Sequence, residues 1–281
     1  MARSLSTVAE GFAFLEGPRW HDGALWVSDM HDDRVLRVHP DGRCETVAEV
    51  AGQPSGLGWL SDGRLLVVSM TDRRLLRRDA GGLVTAADLS GIATFHCNDM
   101  VVDAHGRAYV GNFGFDHEAG AAPVAARLAL VHPDGRVQVV AEDLLFPNGS
   151  VITPDGRTLI VGESFAARLT AFEILPDGSL TNRRLWAQLD GAVPDGICLD
   201  AEGAVWVASP LSDEVLRVRE GGAVLERIAT PDHAIACMFG GPARRTLFIL
   251  TAPALLRELC RERRGARIHA VAVDVPGAGW P

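Results

Sequence analysis

A hairpin turn that keeps returning constrains this chain more than any other feature. His21-Asp22-Gly23, Ser61-Asp62-Gly63, Ala104-His105-Gly106, Pro154-Asp155-Gly156 and Ala201-Glu202-Gly203 put a turn glycine at intervals of 40, 43, 50 and 47 residues. Each glycine is followed by an apolar, β-rich run: Leu25-Trp26-Val27, Leu65-Leu66-Val67-Val68, Ala108-Tyr109-Val110, Leu159-Ile160-Val161 and Val205-Trp206-Val207. A glycine between two such runs marks a hairpin. Next come a polar loop, an alternating strand such as Arg34-Val35-Leu36-Arg37-Val38, a second turn such as His39-Pro40-Asp41-Gly42, and a weaker fourth strand. A sixth, degenerate copy spans residues 237–245 and continues into Thr246-Leu247-Phe248-Ile249-Leu250-Thr251. Four strands in each of six repeats predict an all-β, six-bladed β-propeller with four antiparallel strands per blade.

The two ends fit each other. Leu5-Ser6-Thr7-Val8-Ala9-Glu10 reads like the fourth strand Glu45-Thr46-Val47-Ala48-Glu49, and the last repeat runs out after a third strand near residues 268–273. The N-terminal strand is therefore expected to close the last blade, removing a free sheet edge. No linker or low-complexity tract interrupts the chain, so residues 1–281 are expected to form a single domain. Residues 253–264 are the best helix candidate and equally readable as a loop.

The net charge of −9 argues against binding a phosphate backbone. It suits a site for a cation. Cys44, Cys97, Cys198, Cys237 and Cys260 are scattered, without a Cys-x-x-Cys pair, so neither a disulfide framework nor a thiolate zinc site is expected. Cys198 and Cys237, like Trp26 and Trp206, read as packing residues in strands. The first residues lack an apolar core of signal-peptide length, and no window has the 18 or so apolar residues of a membrane helix. These features predict a cytoplasmic protein with no membrane or nucleic-acid partner.

In a propeller the first strand of each blade lines the central channel. Counting back from each turn glycine places Glu16, Ser55, Asn98, Asn148, Asp195 and Ala236 or Cys237 in one ring near the axis. Each Asn or Asp read alone is an ordinary turn former. Together, two carboxylates and two amides on one axis call for a divalent cation, because buried carboxylates without a partner repel and are poorly solvated. The all-oxygen set points to Ca²⁺, Mg²⁺ or Mn²⁺, with Zn²⁺ also compatible.

Glu16-Gly17-Pro18-Arg19-Trp20, Pro54-Ser55-Gly56-Leu57, Asn98-Asp99-Met100-Val101-Val102-Asp103, Pro147-Asn148-Gly149 and Pro194-Asp195-Gly196-Ile197 resemble the SMP-30/gluconolactonase/LRE-like family across nearly the whole chain. The resemblance implies a six-bladed propeller with one central divalent metal. It implies Glu16, Asn148 and Asp195 as metal ligands, Asp195 also as general base, Asn98 as a contact to metal or substrate, and a lactone of an aldonic acid as substrate. His96 stands where many sugar lactonases of the family carry an Arg, and Asn112-Phe113-Gly114-Phe115-Asp116-His117-Glu118 also departs from the pattern. Both differences point away from plain gluconolactone.

The metal-side loops are residues 29–34, 70–73, 112–127, 163–168 and 210–214. The longest, 112–127, is the candidate lid, with Phe115 and Glu118 as candidate substrate contacts beside His96 and Asn98. Phe113 and Phe165 are candidate walls. The leading expectation is metal-assisted hydrolysis of a small-molecule lactone. The competing readings are hydrolysis of a phosphoester or organophosphate on the same ring, and a non-catalytic metal-stabilised scaffold. No Gly-x-Ser-x-Gly elbow supports Ser55 or Ser150 as a nucleophile.

Overall fold

The computed structural model describes residues 3–281. Its strands form six four-stranded antiparallel sheets arranged as the blades of a propeller. The repeat glycines do what the pattern requires of them. Gly23, Gly63, Gly106, Gly156 and Gly203 all have φ between +70° and +83°, a region in which a Cβ is penalised.

Blade 1 consists of Leu15–His21, Ala24–Asp29, Arg34–Val38 and Cys44–Glu49, and blades 2 to 5 follow the same order from the axis outward. Blade 6 takes His233–Gly240, Thr246–Ala252 and Ala266–Ala272 from the end of the chain, and Ser6–Phe12 pairs with Ala266–Ala272 as its outermost strand. The ring is thus closed by the N-terminal strand. Second strands such as Leu65–Ser69, Ala108–Asn112 and Val205–Ser209 are buried at every position, as expected for strands covered on both faces by neighbouring blades. The helix candidate is realised as the seven-residue helix Arg257–Arg263 between the second and third strands of blade 6. Among the described residues, no helix is long and apolar enough to cross a membrane.

Two features close the channel. The last residues cross the face opposite the ring of Glu16, Ser55, Asn98, Asn148 and Asp195. Trp280 exchanges backbone hydrogen bonds with Ile152 of blade 4 at 2.9 and 2.8 Å, and Ala278 N–H donates to Leu199 O of blade 5 at 2.9 Å. Within the channel, Arg19 of blade 1 reaches past blade 2 to blade 3. Its guanidinium pairs with Asp99 Oδ1 at 2.7 Å and donates to Leu57 O at 3.0 Å, to Pro18 O at 2.7 Å and to Met100 O. Both side chains are almost fully buried, so the ion pair and its carbonyl acceptors form one polar plug beneath the ring.

Candidate metal centre

A repeated backbone device sets the ring. In blades 1 to 4 the pairing of first and second strands slips beside the ring residue, between Glu16 and Arg19, Pro54 and Leu57, Cys97 and Met100, and Pro147 and Ser150. A bulge of this kind bends the strand and re-aims a side chain, here toward the axis. In blade 5, Asp195 lies just before the strand Ile197–Leu199 and is held by N–H donation to Ala208 O at 3.0 Å. A glycine follows the ring residue in four blades because the next blade crowds against it. A Cβ on Gly149 would lie 2.6 Å from both Asp195 O and Ile197 N, and one on Gly196 would collide with Ala236. The third blade has Asp99 in that place, and it carries the plug.

Glu16, Asn98 and Asn148 are buried, Ser55 is fully so, and Asp195 is half-buried. Their hydrogen bonds separate the two amides. Ser164 Oγ donates to Pro194 O at 2.7 Å and so accepts from Asn148 Nδ2 at 3.3 Å. That fixes the amide with Oδ1 facing away from Ser164, where it is buried and has no partner. Asn98 is engaged at both ends: Ser55 Oγ donates to its Oδ1 at 3.4 Å, and its Nδ2 donates to Pro147 O at 3.3 Å. Asp195 Oδ1 is a second buried oxygen without a partner. Glu16 Oε2 accepts only from Gly17 N–H, at 3.0 Å.

Buried polar atoms without partners are rare and call for an explanation. The electrostatics point the same way. Burial, reinforced by the charges of Asp195 and Asp99, pushes the Glu16 carboxyl well above its ordinary range. Burial does the same to Asp195, opposed by the neighbouring Asn148 amide. Without a cation the pair strongly resists ionisation. Two carboxylates, a free amide oxygen and no softer donor are the donor set of a hard divalent cation. Among the described residues, no three His, Cys, Asp or Glu side chains converge as a metal site; the third oxygen here comes from an amide.

Above the ring lies a cavity of about 320 Å³ whose lining includes Glu16, Asn98, Asn148 and Asp195. Its lower wall obeys a register. Phe14, Gln53, His96, Phe146 and Val193 each sit two residues before a ring residue, and all five line the cavity. The constant spacing to the ring made this second tier available from the sequence, although only His96 was singled out; Gln53 and Phe146 reach it with left-handed backbone, at φ 62° and 59°. The upper wall comes from the metal-side loops through Met30, His31, Met70, Phe113, His117, Glu118, Phe165 and Leu211, and from the blade 6 excursion through Leu255 and Arg257.

His96 and Glu118 thus reach the cavity. Phe115 does not line it. It is buried behind the wall, edge-on to Phe165 with centroids 4.9 Å apart. His31 and Arg257 were missed because they meet only when blades 1 and 6 close. Arg257 pairs with Asp33 at 2.7 Å across that junction. Burial lowers the pKa of His31, His96 and His117, so all three imidazoles are neutral near pH 7 and each has one donor and one acceptor.

The interblade fit at Gly149 gives a local test. Gly149→Ala is expected to force blades 4 and 5 apart at Asp195, costing about 1–3 kcal/mol as overpacking does. It should lower the melting temperature and metal affinity together. A stable variant with unchanged metal affinity would contradict the close approach.

Comparisons with known proteins agree with this fold. A model of the SMP-30/gluconolactonase/LRE-like region matches residues 14–253. Regucalcin of Xenopus laevis is 27% identical over 254 residues, covering 87% of this chain and 85% of the relative. The 6-deoxy-6-sulfogluconolactonase of Pseudomonas putida is 27% identical over 286 residues, covering 95% and 93%. The solved structure of a gluconolactonase from Xanthomonas campestris superposes with a TM-score of 0.78 at 27% identity, covering 97% of this chain and 89% of that one. The matched region takes in the first strands of all six blades and every member of the oxygen ring, and so the chain belongs to the SMP-30/gluconolactonase/LRE-like family.

Proposed function

We propose that the protein is a divalent-metal-dependent lactonase that opens small cyclic esters. The observation that carries this reading is the pair of buried, unpartnered oxygens, Asn148 Oδ1 and Asp195 Oδ1, beside Glu16 on the floor of a ligand-sized cavity. The lactonase names of two of the relatives above support it.

Glu16, Asn148 and Asp195 would hold the cation. When bound, it would supply Lewis-acid polarisation of the lactone carbonyl. Asp195 takes the proton of the attacking water as general base. Water oxygen bonds to the carbonyl carbon, the ring C–O bond breaks, and the ring oxygen leaves as the hydroxyl of the hydroxy acid with a proton returned to it. Asn98, with its Oδ1 engaged by Ser55 and one N–H given to Pro147 O, has a second N–H to offer the substrate. Neutral His96 donates or accepts at the substrate's edge. Phe14, Phe146 and Val193 of the second tier limit water around the developing oxyanion, which strengthens each polar contact made there.

Chelation gives the test. EDTA is expected to abolish acid release from a lactone panel read with a pH indicator, and added divalent metal to restore it. The stability loss on chelation should grow with pH. In the metal-free protein Asp195 has its pKa raised to about 8. A raised folded-state pKa stabilises the fold at low pH, and that contribution is lost as pH rises from about 4 toward the raised value. The metal-loaded protein already holds the carboxylate ionised. The gap in melting temperature with and without EDTA is therefore wider at pH 8 than at pH 5. A pH-independent gap would place the cation elsewhere.

The apolar cavity walls also favour a second reading, organophosphate hydrolysis on the same floor. Turnover of paraoxon exceeding that of every lactone would establish it instead.

A further inference from the structure

The floor of the cavity is polar, and the walls above it carry a large apolar share. Of the five second-tier residues that line it, Phe14, Phe146 and Val193 are apolar. Phe146 occupies a costly backbone position. Its φ is 59°, a left-handed conformation that a bulky side chain rarely adopts and that glycine or asparagine would fill more easily. Local backbone preference therefore does not explain a phenylalanine here.

Its ring anchors a continuous aromatic wall. It stacks on Phe113 with centroids 4.3 Å apart, lies 5.2 Å from Phe165, and meets the edge of His117 at 5.1 Å. Phe165 is also 49% exposed, and across the mouth Leu211 and Leu255 are 69% and 40% exposed. All three line the cavity. Large apolar side chains held open to water around a cavity mouth mark a ligand surface. Arg257 is paired with Asp33 and Ser164 is engaged at both ends, while Gln53, His31, His96, His117 and Glu118 supply the remaining polar groups of the wall. Hydroxyls of a polyhydroxylated ring set against the faces of Phe146, Phe113 and Phe165 would lack partners there, each costing about 1–3 kcal/mol.

We propose that the substrate is a lactone whose ring carries an apolar alkyl or aromatic substituent, with the ring on the oxygen floor and the substituent against Phe146, Phe113 and Phe165 under the Leu211–Leu255 rim. This rests on the lactonase reading and names its substrate class. The cavity of about 320 Å³ is at the small end for ligand sites, so the substituent is of modest length.

The test uses the protein as purified and a homologous series: γ-butyrolactone, γ-hexalactone, γ-octalactone and γ-decalactone, with glucono-δ-lactone as the polyol. Each buried methylene is expected to raise kcat/KM by about two- to fourfold until the cavity is full. The best alkyl lactone then exceeds glucono-δ-lactone. The matching γ-alkyl lactams, which are not hydrolysed, should show the same chain-length slope in calorimetric Kd. Phe165→Ser combined with Leu211→Ser, both at exposed positions, should flatten both slopes. Phe146→Gly, which also relieves the backbone, should flatten them further. A flat slope in the parent protein, or a preference for glucono-δ-lactone, overturns this inference and leaves the lactonase reading standing. If none of the five lactones is opened, the lactonase reading falls and this inference with it.

Discussion

Replacing Asp195 by asparagine is expected to lower kcat/KM for lactone opening by about three orders of magnitude, within the range of about 10²–10⁴ for losing a positioned general base. It also removes an anionic donor from the centre, so metal affinity falls as well. The amide is nearly isosteric and the site is tightly enclosed, so the fold has no reason to rearrange. The metal-free variant should in fact be more stable than the metal-free parent above neutral pH. Burial resists the Asp195 charge there, and Glu16 loses a repelling neighbour. Activity and metal-free stability then move in opposite directions, as expected where a fold tolerates strain for function. Steady-state kinetics and thermal melts in EDTA check both halves. Unimpaired hydrolysis would remove Asp195 from the mechanism, and an unfolded variant would make its role architectural.

The largest stability effect is expected at the plug. Arg19→Met removes the guanidinium and leaves Asp99 buried without its partner, along with the freed carbonyls of Leu57 and Met100. Breaking a buried pair from one side costs about 3–5 kcal/mol. Burial already holds the Asp99 carboxyl above its ordinary range, with Arg19 pulling it back. Without Arg19 it rises further, so the variant loses stability as pH increases from the carboxylate range toward neutrality. Arg19→Met combined with Asp99→Leu removes both charges and should recover a substantial part of the loss, as happens when buried pairs are replaced by apolar residues. Melting temperatures of the two single variants and the double variant at pH 5 and pH 8 test this. An additive double variant would mean that the two side chains do not interact.

Local chemistry made the architecture legible. A turn glycine at positive φ, a buried strand after it and a polar residue before it are short-range signatures, and five copies in register with a degenerate sixth fix the blade count. The oxygen ring followed from the same register, because blades 1 to 4 begin with the same bulged strand and blade 5 keeps the spacing to its turn glycine. Features joining distant parts of the chain left no such trace. Trp280 pairs with Ile152, Arg19 with Asp99, and Arg257 with Asp33, and nothing in the sequence around either partner announces the other. Phe115 shows the limit within one loop. Sequence places it beside Phe113 and Glu118, yet it turns inward behind Phe165 while they face the cavity. The second tier at Phe14, Gln53, Phe146 and Val193 was legible in principle, since it repeats two residues before each ring position.

The central claim is that Glu16, Asn148 and Asp195 close on a single divalent cation. An anomalous-difference map from crystals grown with Mn²⁺ tests it most directly. The account predicts one strong peak per chain, bounded by the Glu16 carboxylate, Asn148 Oδ1 and Asp195 Oδ1. It also predicts that the peak is absent from Asp195→Asn crystals grown identically. An empty ring in the parent protein, with Mn²⁺ bound elsewhere or not at all, would contradict it.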